Sequence, residues 1–132
     1  MTTELGISAR LRVPYADALA KTVDALKAEG FGVLTEIDVR TTFRQKLDVD
    51  FRPYMILGAC NPPLAHKALS ANLDVGLLLP CNVTVYQDGD ETVVTAVDPA
   101  VMLSVMGDDP AAAEVATDAK ARLQRVIAHL KG

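Results

Sequence analysis

One stretch near the C-terminus constrains this chain more than any other. Asp109-Pro110 precedes Ala112, Val115, Ala116, Ala119, Leu123, Val126, Ile127 and Leu130, an apolar stripe at i, i+3, i+4 and i+7. The pattern predicts a helix from Pro110 to Lys131, with Asp109 as N-cap and Pro110 at the first helical position. A helix with one continuous apolar face must bury it, and a sheet is what the rest of the chain provides. Leu5, Ile7, Ala9, Leu11 and Val13 alternate with Glu4, Gly6, Ser8, Arg10 and Arg12, the period of a strand with one face buried.

A second amphipathic helix is expected from Pro14 to Glu29, stopped by Gly30. Phe31 to Val39 reads as a strand with Phe31, Val33, Thr35, Ile37 and Val39 on one face, a pattern that Leu34 interrupts. Arg40 to Pro53 reads as a connector with one helical turn, since Phe43 and Leu47 are four apart. Met55 to Cys60 lacks alternation, as in a strand covered on both faces. Asn61-Pro62-Pro63 opens a short helix, Val75–Leu79 and Val83–Gln87 read as strands joined through Pro80-Cys81, and Asp88-Gly89 is a hairpin turn before Thr92–Val97. Val101 to Met106 is a short apolar turn. This order describes a single α+β domain over residues 1–132, a two-layer arrangement with the long helices on one face of an antiparallel sheet.

Half of the 132 residues are hydrophobic and there is no Trp, so the expected core is built from Ala, Val and Leu. A net charge of −4 argues against a broad phosphate-binding surface, and no nucleic-acid partner is expected. Met1-Thr2-Thr3-Glu4 shows no secretory pattern, and the apolar runs Met55–Cys60 and Val75–Cys81 are too short to span a bilayer. A cytoplasmic protein with reduced thiols and no membrane contact is the expectation.

The chemistry concentrates in two mirrored segments, Cys60-Asn61-Pro62 and Pro80-Cys81-Asn82, which hold the only cysteines. Cys60, Asn61, Cys81, Asn82 and His66 are the candidate site residues. Cys60, His66 and Cys81, with Asp98 as a fourth donor, match no standard zinc spacing, and no metal is expected. Thiol chemistry would place the Cys60 thiolate at the start of the following helix, with Cys81 as resolving partner. Each residue also has a purely structural role open to it: Asn61 as helix cap, Asn82 at a bend, the thiols as small buried hydrophobes. Arg40, Arg44, Lys46 and Arg52 could hold an anion, although such scattered charge is ordinarily just solvated. Ser104 has no triad companion.

Tyr54-Met55-Ile56-Leu57-Gly58-Ala59-Cys60-Asn61-Pro62, then Ala65, Ala68-Leu69 and Leu78-Leu79-Pro80-Cys81-Asn82-Val83, resembles the domain of unknown function 302 family, and the resemblance extends over nearly the whole chain. It implies a β-α-β(4)-α fold, similar in topology to the TATA-binding-protein repeat, and a homodimer. No activity, cofactor or catalytic residue is established for that family, and the fold likeness carries no function with it. Apolar residues in Val75–Leu79 and Val101–Met106 are in surplus for so small a chain, which also points to self-association. The functional expectation is a small binding or interaction module that homodimerises and holds a small ligand near the paired Cys-Asn corners. The alternative is a thiol-dependent redox or sulfur-transfer protein using Cys60 and Cys81.

Overall fold

The computed structural model describes residues 4–132; Met1 to Thr3, read above for a leader, lie outside it. Strand β1 (Gly6–Leu11) leads into helix α1 (Tyr15–Ala28), then β2 (Gly32–Asp38), α2 (Val39–Leu47) and β3 (Tyr54–Cys60). Helix α3 (Pro62–Ala71) and a 3-10 segment (Leu73–Leu78) follow, then the hairpin β4 (Cys81–Asp88) and β5 (Glu91–Val97). Helix α4 (Pro99–Leu103) and a 3-10 turn (Ser104–Met106) precede the long helix α5 (Pro110–Lys131). The five strands form one antiparallel sheet in the order β1-β5-β4-β3-β2. The protein is thus α+β, with the β-α-β(4)-α frame elaborated by α2, α3 and α4.

Register explains the core. Ile7, Ala9 and Leu11 of β1 stand opposite Ala96, Val94 and Thr92 of β5, and Val83 and Val85 of β4 continue these rows to Leu57 and Met55 of β3. This face receives Ala18, Ala25 and Leu26 of α1 and Ala119, Leu123, Val126 and Ile127 of α5. Leu26, Leu57 and Leu123 are fully buried, each contributing about 1.5–3 kcal/mol of apolar transfer energy. Small residues let the layers approach: Ala18, Ala59 and Ala96 have no exposed surface. Two buried hydroxyls are satisfied by backbone carbonyls, Thr22 donating to that of Ala18 within its own helix (2.7 Å) and Thr92 to that of Val13, far along the chain (2.9 Å).

Caps mark the helix ends where the sequence placed them. Asp109 accepts hydrogen bonds from the Ala111 and Ala112 amides, and Asn61 accepts one from the Leu64 amide (3.2 Å). Gly89 and Asp90 close the β4–β5 hairpin between the paired Asp88 and Glu91, with Gly89 at φ 64°.

Three readings need correction. Val75–Leu79 is not a strand: Leu73–Leu78 is a 3-10 segment, capped by Asn72, that buries Val75 and leaves Leu73 and Leu77 in solvent. A short apolar run satisfies either geometry, and here Asn72 closes a turn before a strand can begin. Arg40–Pro53 contains a full helix, α2, capped by Asp38 at its start and by left-handed Asp48 (φ 53°) at its end. On β2, the register shifts between Val33 and Thr35, so Leu34 is an extra, bulged residue. Val33 therefore stands opposite core-facing Ala59, whereas Thr35 and Ile37 stand opposite Gly58 and Ile56 on the other face. The break at Leu34 in the sequence is this bulge, and it prevents Phe31, Val33, Thr35 and Ile37 from sharing a face.

Gly58 is required by close approach. A β-carbon there would collide with the Thr35 hydroxyl and the Pro80 ring, which close over it from the β2 and β4 sides. Gly58→Ala is expected to cost about 1–3 kcal/mol, the usual cost of overpacking. A lowered thermal midpoint by circular dichroism checks it, and an unchanged midpoint would show that the neighbours yield freely.

Candidate functional site

Antiparallel pairing of β3 with β4 sets Ala59 opposite Cys81, so the two cysteines lie at adjoining strand ends, offset by one residue in register. Both are free thiols, Cys81 buried and Cys60 half-buried. Together with Asn61 they line a cavity of about 30 Å³, closed by Leu64 and Ala68 of α3, Val75, Met102 of α4, and Val115 and Ala119 of α5. The cavity lies at the seam between the main core and a satellite cluster of Ala68, Val75, Leu103, Val115 and Ala116. Its lining is apolar almost throughout, and it has room for about two water molecules.

The polar groups at this corner have structural partners. Asn61 is buried and spends its side-chain oxygen on the α3 cap, while its amide rests against Gly30, whose φ of 86° ends α1. The Cys81 thiol is pushed up to about 11 by burial, with the nearby Cys60 adding to the effect. At neutral pH it is a protonated, small hydrophobe.

Asn82 does not join the cavity: it is exposed, opposite Gly58 on the outer face of the sheet. His66 is exposed on α3, whose Leu64, Ala65 and Ala68 line the cavity instead. Asp98 caps α4 through the Ala100 amide (2.9 Å) and pairs with Lys120 (3.1 Å), which engages it away from any thiol. Among the described residues no three His, Cys, Asp or Glu side chains are grouped as metal ligands would be. Arg44 pairs with Asp50 (2.8 Å) and Arg52 approaches both Asp88 (3.6 Å) and the Tyr86 ring, so two of the four cations suggested for an anion are engaged by neighbours.

A second feature lay outside the motif reading. On the outer face Tyr54 stacks on Tyr86 (5.2 Å between ring centres), Phe51 meets Tyr54, and Phe43 of α2 meets Phe51 edge-on. An open, almost wholly apolar groove of about 450 Å³ runs between α2 and the sheet, lined by Ile37, Val39, Phe43, Phe51, Tyr54 and Ile56. The signal was in the composition: of three Phe and three Tyr in the chain, Phe43, Phe51, Tyr54 and Tyr86 gather here.

The architecture is that of a family. The chain belongs to the domain of unknown function DUF302 family, whose pattern matches residues 7–130. It is similar to the uncharacterized conserved protein DUF302 from Bacillus stearothermophilus, known from a crystal structure. The two are 34% identical, superpose with a TM-score of 0.85, and the match covers 96% of this chain and 98% of that one. No curated protein matches the chain. No helix among the described residues is long and apolar enough to cross a membrane.

Protonation of Cys81 has a measurable sign. Its folded-state pKa stands above the ordinary 9.0, so the unfolded chain releases that proton first and stability falls as pH rises from about 9 to about 11. Below pH 9 this contribution is flat. Cys81→Ala should reduce the alkaline slope in urea unfolding curves measured across this range, leaving the part that Tyr15, whose pKa burial also raises, contributes with the same sign; a slope unchanged by the substitution would assign it elsewhere.

Proposed function

We propose that this protein is a small binding module that works as a homodimer in a reducing, cytoplasmic setting and takes a small apolar guest at the Cys60–Cys81 corner. The observation that carries the reading is the contrast between its two apolar features. The cysteine corner is small and lined almost wholly by apolar groups, while large apolar side chains outside it stand in solvent: Leu34 at 67%, Leu47 at 63% and Ile37 at 48% exposure. Exposed apolar surface gathered in one place is characteristic of a protein that binds another.

The corner's present volume is far below the roughly 300–1,000 Å³ of a metabolite site. Half-buried Leu64 and Leu79, and unbranched Met102, whose three torsions adapt readily, are the groups that give way to a guest. The thiols offer it soft, neutral contacts. Thiol transfer draws no support from this arrangement, because burial raises the Cys81 thiol and leaves little thiolate at neutral pH to act as a resolving partner.

Native mass spectrometry and thermal unfolding with added benzene test the guest: a raised midpoint or a retained small molecule is expected, and neither appearing removes the ligand from the reading. Quantitative labelling at pH 8 tests the thiols. One reactive thiol per folded chain is expected, at half-buried Cys60, and two only on unfolding. A rapidly formed Cys60–Cys81 disulfide would reinstate redox chemistry.

A further inference from the structure

We propose that the segment from β2 through α2 to the start of β3 is the surface by which two copies of this chain pair, the groove between α2 and the outer sheet face receiving the partner's exposed apolar side chains. The inference rests on the homodimeric reading above and assigns it a place.

The observation is one of burial. From Gly32 to Ile56 not one residue is buried, although the segment contains a strand, a capped helix and the first residues of another strand. Helix α2 has nine residues and no buried side chain, whereas helices shorter than about 12–15 residues are marginal without packing. The apolar residues are present, but on the outside: Leu34, Ile37, Leu47, Val49 and Phe51 are half of the large hydrophobics this structure leaves exposed. About 25 residues, the run from Gly32 to Ile56, is also the share one partner gives to an interface of standard size, roughly 20–30 residues a side.

Charge selects a second copy as the occupant. The segment holds Glu36, Asp38, Asp48 and Asp50 against Arg40, Arg44, Lys46 and Arg52, so it is neutral in a chain of net charge −4. It is where two such chains repel least. Arg40 and Lys46 form no ion pair among the described residues, and neither do Glu36 and Asp48. Two cations and two carboxylates on one surface are what a two-fold contact needs, since each patch then meets the opposite charge on the copy. Knob and hole belong to one segment as well: Leu34 on its bulge and Leu47 at the end of α2 are exposed, and residues of the same segment line the groove they would fill in the partner. The bulge also spoils the β2 edge for strand pairing, which favours packing face to face over joining the two sheets. Segments Val75–Leu79 and Val101–Met106 leave Leu77, Val101 and Val105 exposed, but compete less well because their other large apolar residues are already used in the satellite cluster.

Sedimentation equilibrium from 1 to 100 µM, a range bracketing about micromolar affinity, tests the assignment. A dimer is expected for the native chain, with L34E/L47E weakened about a hundredfold or more and its circular dichroism spectrum retained. The control L73E/L77E, exposed on the 3-10 segment, should dimerise as the native chain does. R40E/K46E and E36K/D48K should each be monomeric alone and form a heterodimer when mixed. A native chain that stays monomeric overturns the homodimer itself. A native dimer that L34E/L47E leaves intact, or that L73E/L77E abolishes, overturns only this surface. Failure of the two charge variants to pair when mixed overturns the two-fold charge matching and, with it, the choice of a second copy to fill the groove.

Discussion

The structure depends on one contact: the apolar stripes of α1 and α5 against the inner face of the sheet. β1 lies at one edge and β5 beside it, so the first and fifth strands are joined through residues nearly the whole chain apart, as in Ile7 opposite Ala96. Nothing local holds that pair. It is fixed because Leu123, Val126 and Ile127 of α5 and Leu26 of α1 need the row formed by Ile7, Ala9, Val94 and Ala96 to leave water. Surface ion pairs such as Arg125 with Glu29 and Arg10 with Asp88 decorate this arrangement and add little, being solvated.

The cysteine corner is a consequence of that packing. α3, the 3-10 segment and α4 build a satellite cluster beyond the end of the sheet, and where it meets the main core the fit is imperfect, leaving the small cavity against Cys60 and Cys81. Thiols suit such a seam because they are small, apolar when protonated and tolerant of irregular contacts. Gly58 beneath Pro80 and Thr35, and Asn61 against Gly30, fix the two strand ends that form its wall.

The opposite end of the molecule has no such second layer. Beside α2, Phe43, Phe51, Tyr54 and Tyr86 form a ring cluster on the outer face of the sheet, and the groove next to it stays open on one side. A core hydrophobic that lacks a covering layer is a cost in the isolated chain and a source of affinity in a complex.

What the sequence determined by itself was everything governed by short-range periodicity and capping. Asp109-Pro110 and Asn61-Pro62 mark their helices and Asp88-Gly89 marks its hairpin, because each depends on hydrogen bonds within a few residues, whereas the break at Leu34 became a bulge only through pairing with β3. The two cysteine segments do adjoin, but by another route than the apolar runs implied: Cys60 ends β3, whereas the run before Cys81 is a 3-10 segment and Cys81 begins β4. What only the tertiary structure decided were matters of direction and cover. Whether Val75–Leu79 became strand or turn, which way Asn82 and His66 point, and whether Phe43 and Phe51 are buried depend on partners far along the chain. Periodicity states that a residue prefers to leave water; the layer that covers it, or fails to, belongs to the fold.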